Sequence, residues 1–269
     1  MSSIQTLEQL LGKMWRDYVE TNPPAQQIHD LIQAEGNEVL NDHIAFRTFN
    51  HPKINIDQLA KVFKACGYEE KSDYYFTEKK LYAKHFEHSD ETLPRIFISE
   101  LQLEEFDEEL NTIINSLVEQ IAEVDYERFD FSSMGRPWEL SYQTYQQLKE
   151  KSEYAAWTAA FGFRPNHFTV NVNALKTLPD LESLNAFLKE KGFKLNDSGG
   201  EIKGSKEVYL EQSSTLAYNT EVVFSDGKHV IPACYYEFAK RYPTESGKLY
   251  SGFVAKSADK IFESTDRGQ

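Results

Sequence analysis

Cysteine is scarce in this 269-residue chain, and the two that occur, Cys66 and Cys234, lack the close spacing of metal-binding motifs. We therefore predict reduced core thiols, as is usual for a cytosolic protein. The first 22 residues lack the basic, apolar and small-residue sections of a secretory signal. No apolar run approaches the roughly 20 residues that a membrane-spanning helix needs. These absences predict a cytoplasmic protein without a membrane partner.

Positive charge is also in short supply. The chain has 29 Lys and Arg residues against 43 Asp and Glu residues, which gives a net charge of −14. A chain this acidic has no long-range attraction for nucleic acid or for an anionic membrane surface. We therefore predict no nucleic-acid partner, and an anionic substrate would require arginines placed locally.

Two segments of the chain are similar enough to be copies of one unit. The first opens with His43, continues as Ile-Ala-Phe-Arg-Thr-Phe and reaches Gly67 after a helical run. The second opens with His167, continues as Phe-Thr-Val-Asn-Val-Asn and reaches Gly192 after a helical run. The spacing from histidine to glycine is 24 residues in one copy and 25 in the other. Because duplicated units usually pack about a pseudo-twofold axis, the two histidines could meet at one ion.

Hydrophobic periodicity predicts an α+β fold in a single domain, residues 1–269. The predicted parts are N-terminal helices (1–40), a first β-α-β-β-β repeat (41–103), a helical connection (104–165), a second repeat (166–245) and a surface-lying tail (246–269). The connection should begin with a helix over 106–121. The second repeat should contain one continuous strand over 229–238. With no long linker between them, the repeats should share one core.

The strands that open the two repeats each carry an unusually polar face. Side-chain alternation places His43, Ala45 and Arg47 on one face of the first strand. The corresponding face of the second strand carries four polar residues: His167, Thr169, Asn171 and Asn173. Such a face can line a site, but a solvent-exposed sheet gives the same pattern. Alternation alone favours neither interpretation.

A divalent metal held by two histidines needs a further ligand, and a hard or borderline ion favours an acidic one. Glu237, within Tyr-Tyr-Glu-Phe at 235–238, is the best candidate. A carboxylate in such an aromatic strand is costly without a cation or hydrogen-bond partners. A salt bridge to Lys240 or Arg241 is the alternative. His229, on the same predicted strand, would lie about 26 Å from Glu237 and cannot share its ion.

Glu100 ends the last strand of the first repeat and is predicted to be the counterpart of Glu237. A fully symmetric site would then have four ligands: His43, Glu100, His167 and Glu237. A site with three ligands leaves more coordination positions for substrate and oxygen. Whether Glu100 faces the ion therefore separates two kinds of chemistry.

Arg47 is the basic residue with the clearest functional case. It lies on the His43 face, about 13 Å along the strand between Cα atoms. A guanidinium at that point could pair bidentately with a substrate carboxylate near the ion. A buried structural ion pair is the alternative. The other histidines are predicted to be structural: His29, His51, His85 and His88.

Three motifs resemble those of the 2-oxoadipate dioxygenase/decarboxylase (2-hydroxyglutarate synthase) family. They are Asn-Asp-His-Ile-Ala-Phe-Arg-Thr-Phe at 41–49, Asn-His-Phe-Thr at 166–169 and Tyr-Tyr-Glu-Phe at 235–238. The first is fairly specific because it carries a His and an Arg at fixed spacing. The likeness extends from about residue 40 to 243, and the paired repeats also resemble the vicinal-oxygen-chelate folds. This second resemblance implies that the repeats form a curved sheet around a central metal site.

The resemblance implies one Fe(II) ion held by His43, His167 and Glu237, with Arg47 binding the substrate. The implied reaction converts 2-oxoadipate, or a related 2-oxo diacid, and O2 into 2-hydroxyglutarate and CO2. Strand alternation adds Thr169, Asn171 or Tyr235 as residues that could orient the ligands. That role for these three depends on alternation alone.

Two other functions are compatible with the same residues. One is a redox-neutral metal enzyme of the glyoxalase or isomerase type, with Glu100 as fourth ligand and zinc or nickel as the metal. The other is a metal-free module in which His43 and Arg47 only bind an anion. Turnover without oxygen would favour the former, and a lack of affinity for any metal would favour the latter.

Overall fold

The computed structural model describes residues 3–122, 126, 128 and 130–254. Helices and strands are numbered in chain order. The first repeat consists of β1 (Asn41–Phe49), α3 (Ile56–Ala65), β2 (Glu69–Phe76), β3 (Leu81–Glu87) and β4 (Arg95–Leu101). The second consists of β5 (Pro165–Asn171), α7 (Leu181–Glu190), β6 (Lys203–Ser205), β7 (Leu210–Ser214) and β10 (Glu237–Arg241). The remaining elements are α1 (Ser3–Thr21), α2 (Pro23–Ala34), α4 (Glu108–Glu119), α5 (Tyr142–Lys151), α6 (Glu153–Phe161), β8 (Asn219–Phe224) and β9 (Gly227–Pro232).

The two repeats contribute four strands each to one curled sheet. The strand order is β2-β3-β4-β1-β5-β10-β7-β6, so the opening strands of the repeats are neighbours at its centre. β1 and β5 run antiparallel, while each is parallel to the last strand of its own repeat, β4 or β10. This arrangement confirms the predicted α+β class and the predicted pairing of two β-α-β-β-β units.

The helix that follows each opening strand is bounded by matching signals. The side chains of Asn55 and Asp180 accept hydrogen bonds from backbone N–H groups in the first turns of α3 and α7. Just beyond the two helices, the repeated glycines Gly67 and Gly192 have φ of 96° and 89°. This left-handed conformation is one that glycine adopts at little cost. The histidine-to-glycine spacing is similar in the two repeats because it runs, in each, from the opening strand to the glycine that follows the helix.

The convex side of the sheet is covered by aromatic packing from α1. The ring of Trp15 packs edge-on against Phe168 of β5, with 5.1 Å between centroids, and Tyr18 lies 5.0 Å from the same ring. The polar residues of β1 and β5 point to the opposite, concave side. His43, Arg47, His167 and Thr169 are almost fully buried, so the solvent-exposed interpretation of the polar face is wrong.

The predicted strand over 229–238 is in fact two strands. Residues up to Pro232 pair with β8 in a separate two-stranded sheet, and the chain joins the main sheet only at Glu237. Backbone hydrogen bonds of Tyr218 with Ala233 and Cys234 hold the segment between them. The sequence gives no signal for a change of sheet, because both parts are strand-like. His229 and Glu237 therefore do not share a strand.

Two further predictions on the chain's organisation require correction. The first connecting helix spans 12 residues instead of 106–121, because the Asp107 side chain accepts from Leu110 N–H and starts the helix there. The described part of the tail is not wholly surface-lying, since Phe253 is only 6% exposed and packs on the concave face of the sheet. Residues 255–269 of the predicted tail lie outside the described residues. None of the described helices has the length and apolar character needed to cross a membrane.

Candidate metal centre

The side chains of His43, His167 and Glu237 converge at the seam between the two repeats. One possible ligand atom from each residue lies within 4.8 Å of the others. Nε2 of His43 is 3.5 Å from Glu237 Oε1, and Nε2 of His167 is 3.3 Å from Oε2. The three residues are 2%, 4% and 1% exposed. Within the described ranges this is the one cluster of His, Cys and acidic side chains with the spacing of a metal site.

Strand register explains why these three residues meet. His43 lies opposite Thr169 across the β1–β5 pair, and Thr169 lies opposite Glu237 across the β5–β10 pair. Side chains of directly paired residues project from the same face of a sheet. His167 is two residues from Thr169 on that face. The cluster therefore follows from the sheet alone, without any long loop.

Each histidine is oriented by the residue that precedes it. Asp42 Oδ1 is 2.8 Å from His43 Nδ1, and Asn166 Oδ1 is 2.9 Å from His167 Nδ1. With Nδ1–H donating to these oxygens, each Nε2 is left to face Glu237. Burial is the main cause that lowers the pKa of both imidazoles, so that they are neutral, as metal ligands must be.

Glu237 sits in an environment that disfavours a bare negative charge. Burial raises its pKa to about 8, although a hydrogen bond from Gln212 acts in the opposite direction. Nε2 of Gln212 lies 2.5 Å from Oε1. A bound divalent cation would stabilise the ionised carboxylate in this setting. Two neutral imidazoles and one buried carboxylate thus form a donor set that suits such a cation.

A buried ion pair lies directly behind His43. The Arg241 guanidinium donates to both carboxylate oxygens of Asp42, at 2.6 and 2.9 Å. Burial alone would raise the pKa of Asp42, but Arg241 and His43 hold it well below its usual range. Nη1 of Arg241 also donates to the carbonyl oxygens of Tyr250 and Gly252. Arg241 therefore ties the C-terminal segment to the residue that orients His43.

Phe253, at the end of this C-terminal segment, packs next to the cluster. Its ring lies 4.8 Å from the His43 ring and 4.7 Å from the ring of Phe97. Its N–H donates to the Tyr74 hydroxyl at 3.2 Å. The segment thus forms one apolar wall beside His43.

Glu100 is not the counterpart of Glu237, and that prediction is wrong. Its register partner is Thr48, which points away from the Arg47 face of β1. Its Oε2 accepts a hydrogen bond from Ile56 N–H at the start of α3. The position equivalent to Glu237 is Phe97, because Phe97 pairs with Ala45 as Glu237 pairs with Thr169. The repeat therefore supplies one carboxylate to the cluster, not two.

Arg47 lies on the concave face and is 1% exposed. Its guanidinium carbon is 4.9 and 5.1 Å from the ring centres of Tyr154 and Trp157, and Nη1 is 3.5 Å from Glu153 Oε2. Arg47 also lines a cavity of about 470 Å³. Arg47 thus lines a cavity, as a substrate-binding residue would, and also lies within ion-pair distance of Glu153, as a structural residue would.

The three residues proposed to orient the ligands have different positions. Thr169 Oγ1 is 3.1 Å from His43 Nε2, and the Tyr235 ring stacks on the His167 ring at 4.6 Å. The Asn171 side chain instead accepts from Asn173 N–H in a turn. Sequence reasoning missed Asp42 and Asn166, although both precede the histidine at the same repeat position.

Gln212 was also missed. It lies on β7, a strand whose position beside β10 could not be assigned from the sequence.

The chain is similar to proteins of known activity and structure. A family model described as "2-oxoadipate dioxygenase/decarboxylase" matches residues 2–130 and 127–248. The chloroplastic 2-oxoadipate dioxygenase/decarboxylase of Arabidopsis thaliana is 34% identical, over 97% of this chain and 77% of its own length.

Two crystal structures share the fold at high coverage. The hydroxyglutarate synthase from Oryza sativa, in complex with 2-oxoadipate, is 33% identical with a TM-score of 0.91, over 98% of this chain and 93% of that one. A Shewanella frigidimarina protein, provisionally named a hydrolase, is 50% identical with a TM-score of 0.89, over 92% and 97% of the two chains. The match of the family model along most of the sequence agrees with the motifs around His43, His167 and Glu237. The chain is a member of the 2-oxoadipate dioxygenase/decarboxylase family.

Proposed function

We propose that this protein is a non-haem Fe(II)-dependent dioxygenase/decarboxylase. It converts 2-oxoadipate, or a related 2-oxo diacid, and O2 into 2-hydroxyglutarate and CO2. The observation that carries the proposal is the buried cluster of His43, His167 and Glu237 in a chain that belongs to this enzyme family. Its relatives include an enzyme named for this activity and a structure with 2-oxoadipate bound.

His43, His167 and Glu237 would hold the iron. The orientation of both Nε2 atoms toward the Glu237 carboxylate supports this assignment. Two histidines and one carboxylate are the donor set of non-haem Fe(II) oxygenases, and they leave coordination positions open for substrate and oxygen. When bound, Fe(II) would supply the electrons that activate O2. Asp42 and Asn166 keep the two imidazoles in the orientation that this role needs.

Arg47 would bind the carboxylate of the diacid that lies far from the iron. Its guanidinium is buried against two aromatic rings, a setting that strengthens a charge-assisted pair with a carboxylate. Nη1 of Arg47 lies 3.5 Å from Oε2 of Glu153, a partly exposed carboxylate with which a substrate carboxylate would compete. The cavity that Arg47 lines carries five basic and two acidic side chains: Arg47, Lys79, Lys80, Lys149 and Lys151 against Glu78 and Glu153. This local excess supplies the positive charge that the chain as a whole lacks.

The position of Glu100 bears on the alternative redox-neutral enzyme. The redox-neutral enzyme was predicted to use a fourth metal ligand from the first repeat. The position equivalent to Glu237 in that repeat is occupied by Phe97, whose side chain has no ligand atom. The oxygen-dependent reaction is therefore the one that the geometry supports best.

The test is to load the protein with Fe(II) under argon, add 2-oxoadipate, admit O2 and measure CO2, O2 and 2-hydroxyglutarate. We expect equal amounts of oxygen consumed and CO2 released. His43→Ala should lose iron binding, measured by anaerobic titration, whereas His51→Ala should bind iron as the wild type does. Arg47→Ala should keep the iron and raise KM for the diacid. No oxygen consumption with any 2-oxo diacid would overturn the proposal.

Both cysteines are buried and free, which agrees with the expectation of reduced thiols.

The single-domain organisation and the cytoplasmic location stay predictions. The Arabidopsis relative is named as chloroplastic. Fractionation of the native host's cells with an antibody against the protein would test the location.

A further inference from the structure

The buried hydroxyl of Tyr235 lacks the hydrogen bond that a buried polar group normally makes. The residue is fully buried, and its Oη has no hydrogen-bond partner among the residues that the structure describes. Most buried polar groups are hydrogen-bonded, because an unmet donor loses the hydrogen bonds that it had with water. An unmet hydroxyl that points into a binding site is what a ligand oxygen would satisfy.

Two observations place this hydroxyl at the site. Tyr235 is two residues before Glu237, just before the chain joins the main sheet. Its ring stacks on the ring of His167, with 4.6 Å between centroids and 26° between planes. The phenol therefore lies beside the His–His–Glu cluster.

We propose that Tyr235 is a further substrate-binding residue, whose hydroxyl donates a hydrogen bond to an oxygen at the 2-oxo-carboxylate end of the bound oxo acid. This inference rests on the proposed function, because it needs an oxo acid bound at the cluster. The stacked ring fixes the phenol next to His167, so its single donor is already oriented before substrate arrives. The negatively charged oxo-acid oxygens are acceptors that a neutral phenol can serve.

The neighbouring residue provides a matched control. Tyr236 is also fully buried, and its Oη likewise has no partner within the described residues. Its ring packs on the convex side, 5.8 Å from Trp15 and 5.5 Å from Phe238. Tyr236→Phe thus removes the same kind of hydroxyl one residue away but outside the site.

The experiment compares Tyr235→Phe with Tyr236→Phe in the Fe(II)-loaded protein under argon. Binding of 2-oxoadipate, and of 2-oxohexanoate, which lacks the distal carboxylate, is measured by calorimetry and by the visible absorption of the complex. We expect Tyr235→Phe to bind both acids about tenfold to a hundredfold more weakly, which is the range for one hydrogen bond to a charged group. Iron affinity should be unchanged in both variants, and Tyr236→Phe should bind both acids as the wild type does.

Several results would overturn the inference. Unchanged affinity in Tyr235→Phe, with normal binding by the wild type, removes it and leaves the proposed function standing. A loss confined to 2-oxoadipate would place the hydrogen bond at the distal carboxylate instead. An equal loss in Tyr236→Phe, or weaker iron binding in Tyr235→Phe, would show a structural effect. If the wild type binds no 2-oxo acid, the proposed function and this inference fail together.

Discussion

Removing one partner of the buried ion pair between Asp42 and Arg241 should strongly destabilise this fold. Both side chains are buried, and Asp42→Asn would leave the Arg241 charge without its carboxylate. Breaking a buried pair on one side typically costs about 3–5 kcal/mol. Arg241 keeps two carbonyl acceptors and the Phe253 ring, so we expect a value near about 3 kcal/mol. The amide oxygen of the introduced asparagine could still accept from His43, as Asn166 does from His167.

The assay is urea unfolding of the metal-free protein at neutral pH, carried out as a double-mutant cycle. The cycle consists of the wild type, Asp42→Asn, Arg241→Met and the double variant. The double variant has neither buried charge, so its loss should be smaller than the sum of the single losses by about 1–3 kcal/mol. Glu221→Gln, which breaks the exposed pair with Lys228, is the control and should change stability by less than about 1 kcal/mol. Additive effects in the cycle, or a loss below about 1 kcal/mol for Asp42→Asn, would refute the reasoning.

Three other outcomes follow from single contacts. Glu100→Gln should leave Fe(II) affinity unchanged in an anaerobic titration, because Glu100 contacts the start of α3; weaker iron binding would contradict the register given above. Phe253→Ala should lower the unfolding free energy by about 3–5 kcal/mol, since it opens a cavity beside His43, and a loss below about 1 kcal/mol in urea would show that the segment is loosely packed. Gly162→Ala should lower the melting temperature markedly, because φ is +64° and a Cβ would lie 2.5 Å from the Gly135 carbonyl oxygen; Gly12→Ala, where the nearest atom is 3.5 Å away, is the matched substitution without strain.

The sequence was sufficient to predict the parts of the fold that repeat. The histidine-to-glycine spacing predicted two equivalent strand–helix pairs, and alternation predicted which faces of β1 and β5 would carry the polar residues. Together, those two predictions imply that His43 and His167 lie close together in space. The identification of Glu237 depended on chemistry, because a carboxylate among aromatic residues needs a partner.

The parts that could not be predicted depend on how distant strands are arranged. Glu100 and Glu237 both lie near strand ends, but the register of β4 against β1 places Phe97, not Glu100, at the equivalent position. Gln212 is a surface-type residue in sequence and becomes a Glu237 partner only through the β7–β10 pairing. The role of Phe253 also escaped prediction, since an isolated aromatic residue in a polar tail carries no periodic signal.

The cluster lies on the seam between the repeats, so the metal ion proposed to bind there would link catalysis to folding. β1 supplies His43 from the first half, and β5 and β10 supply His167 and Glu237 from the second. An ion held by these three residues would cross-link the two halves, because neither half could unfold without releasing a ligand. At a free metal concentration about one hundred times its dissociation constant, such binding would add about 2.7 kcal/mol to the stability of the native state. With iron as the proposed metal, iron starvation should therefore leave the protein both inactive and more vulnerable to proteolysis.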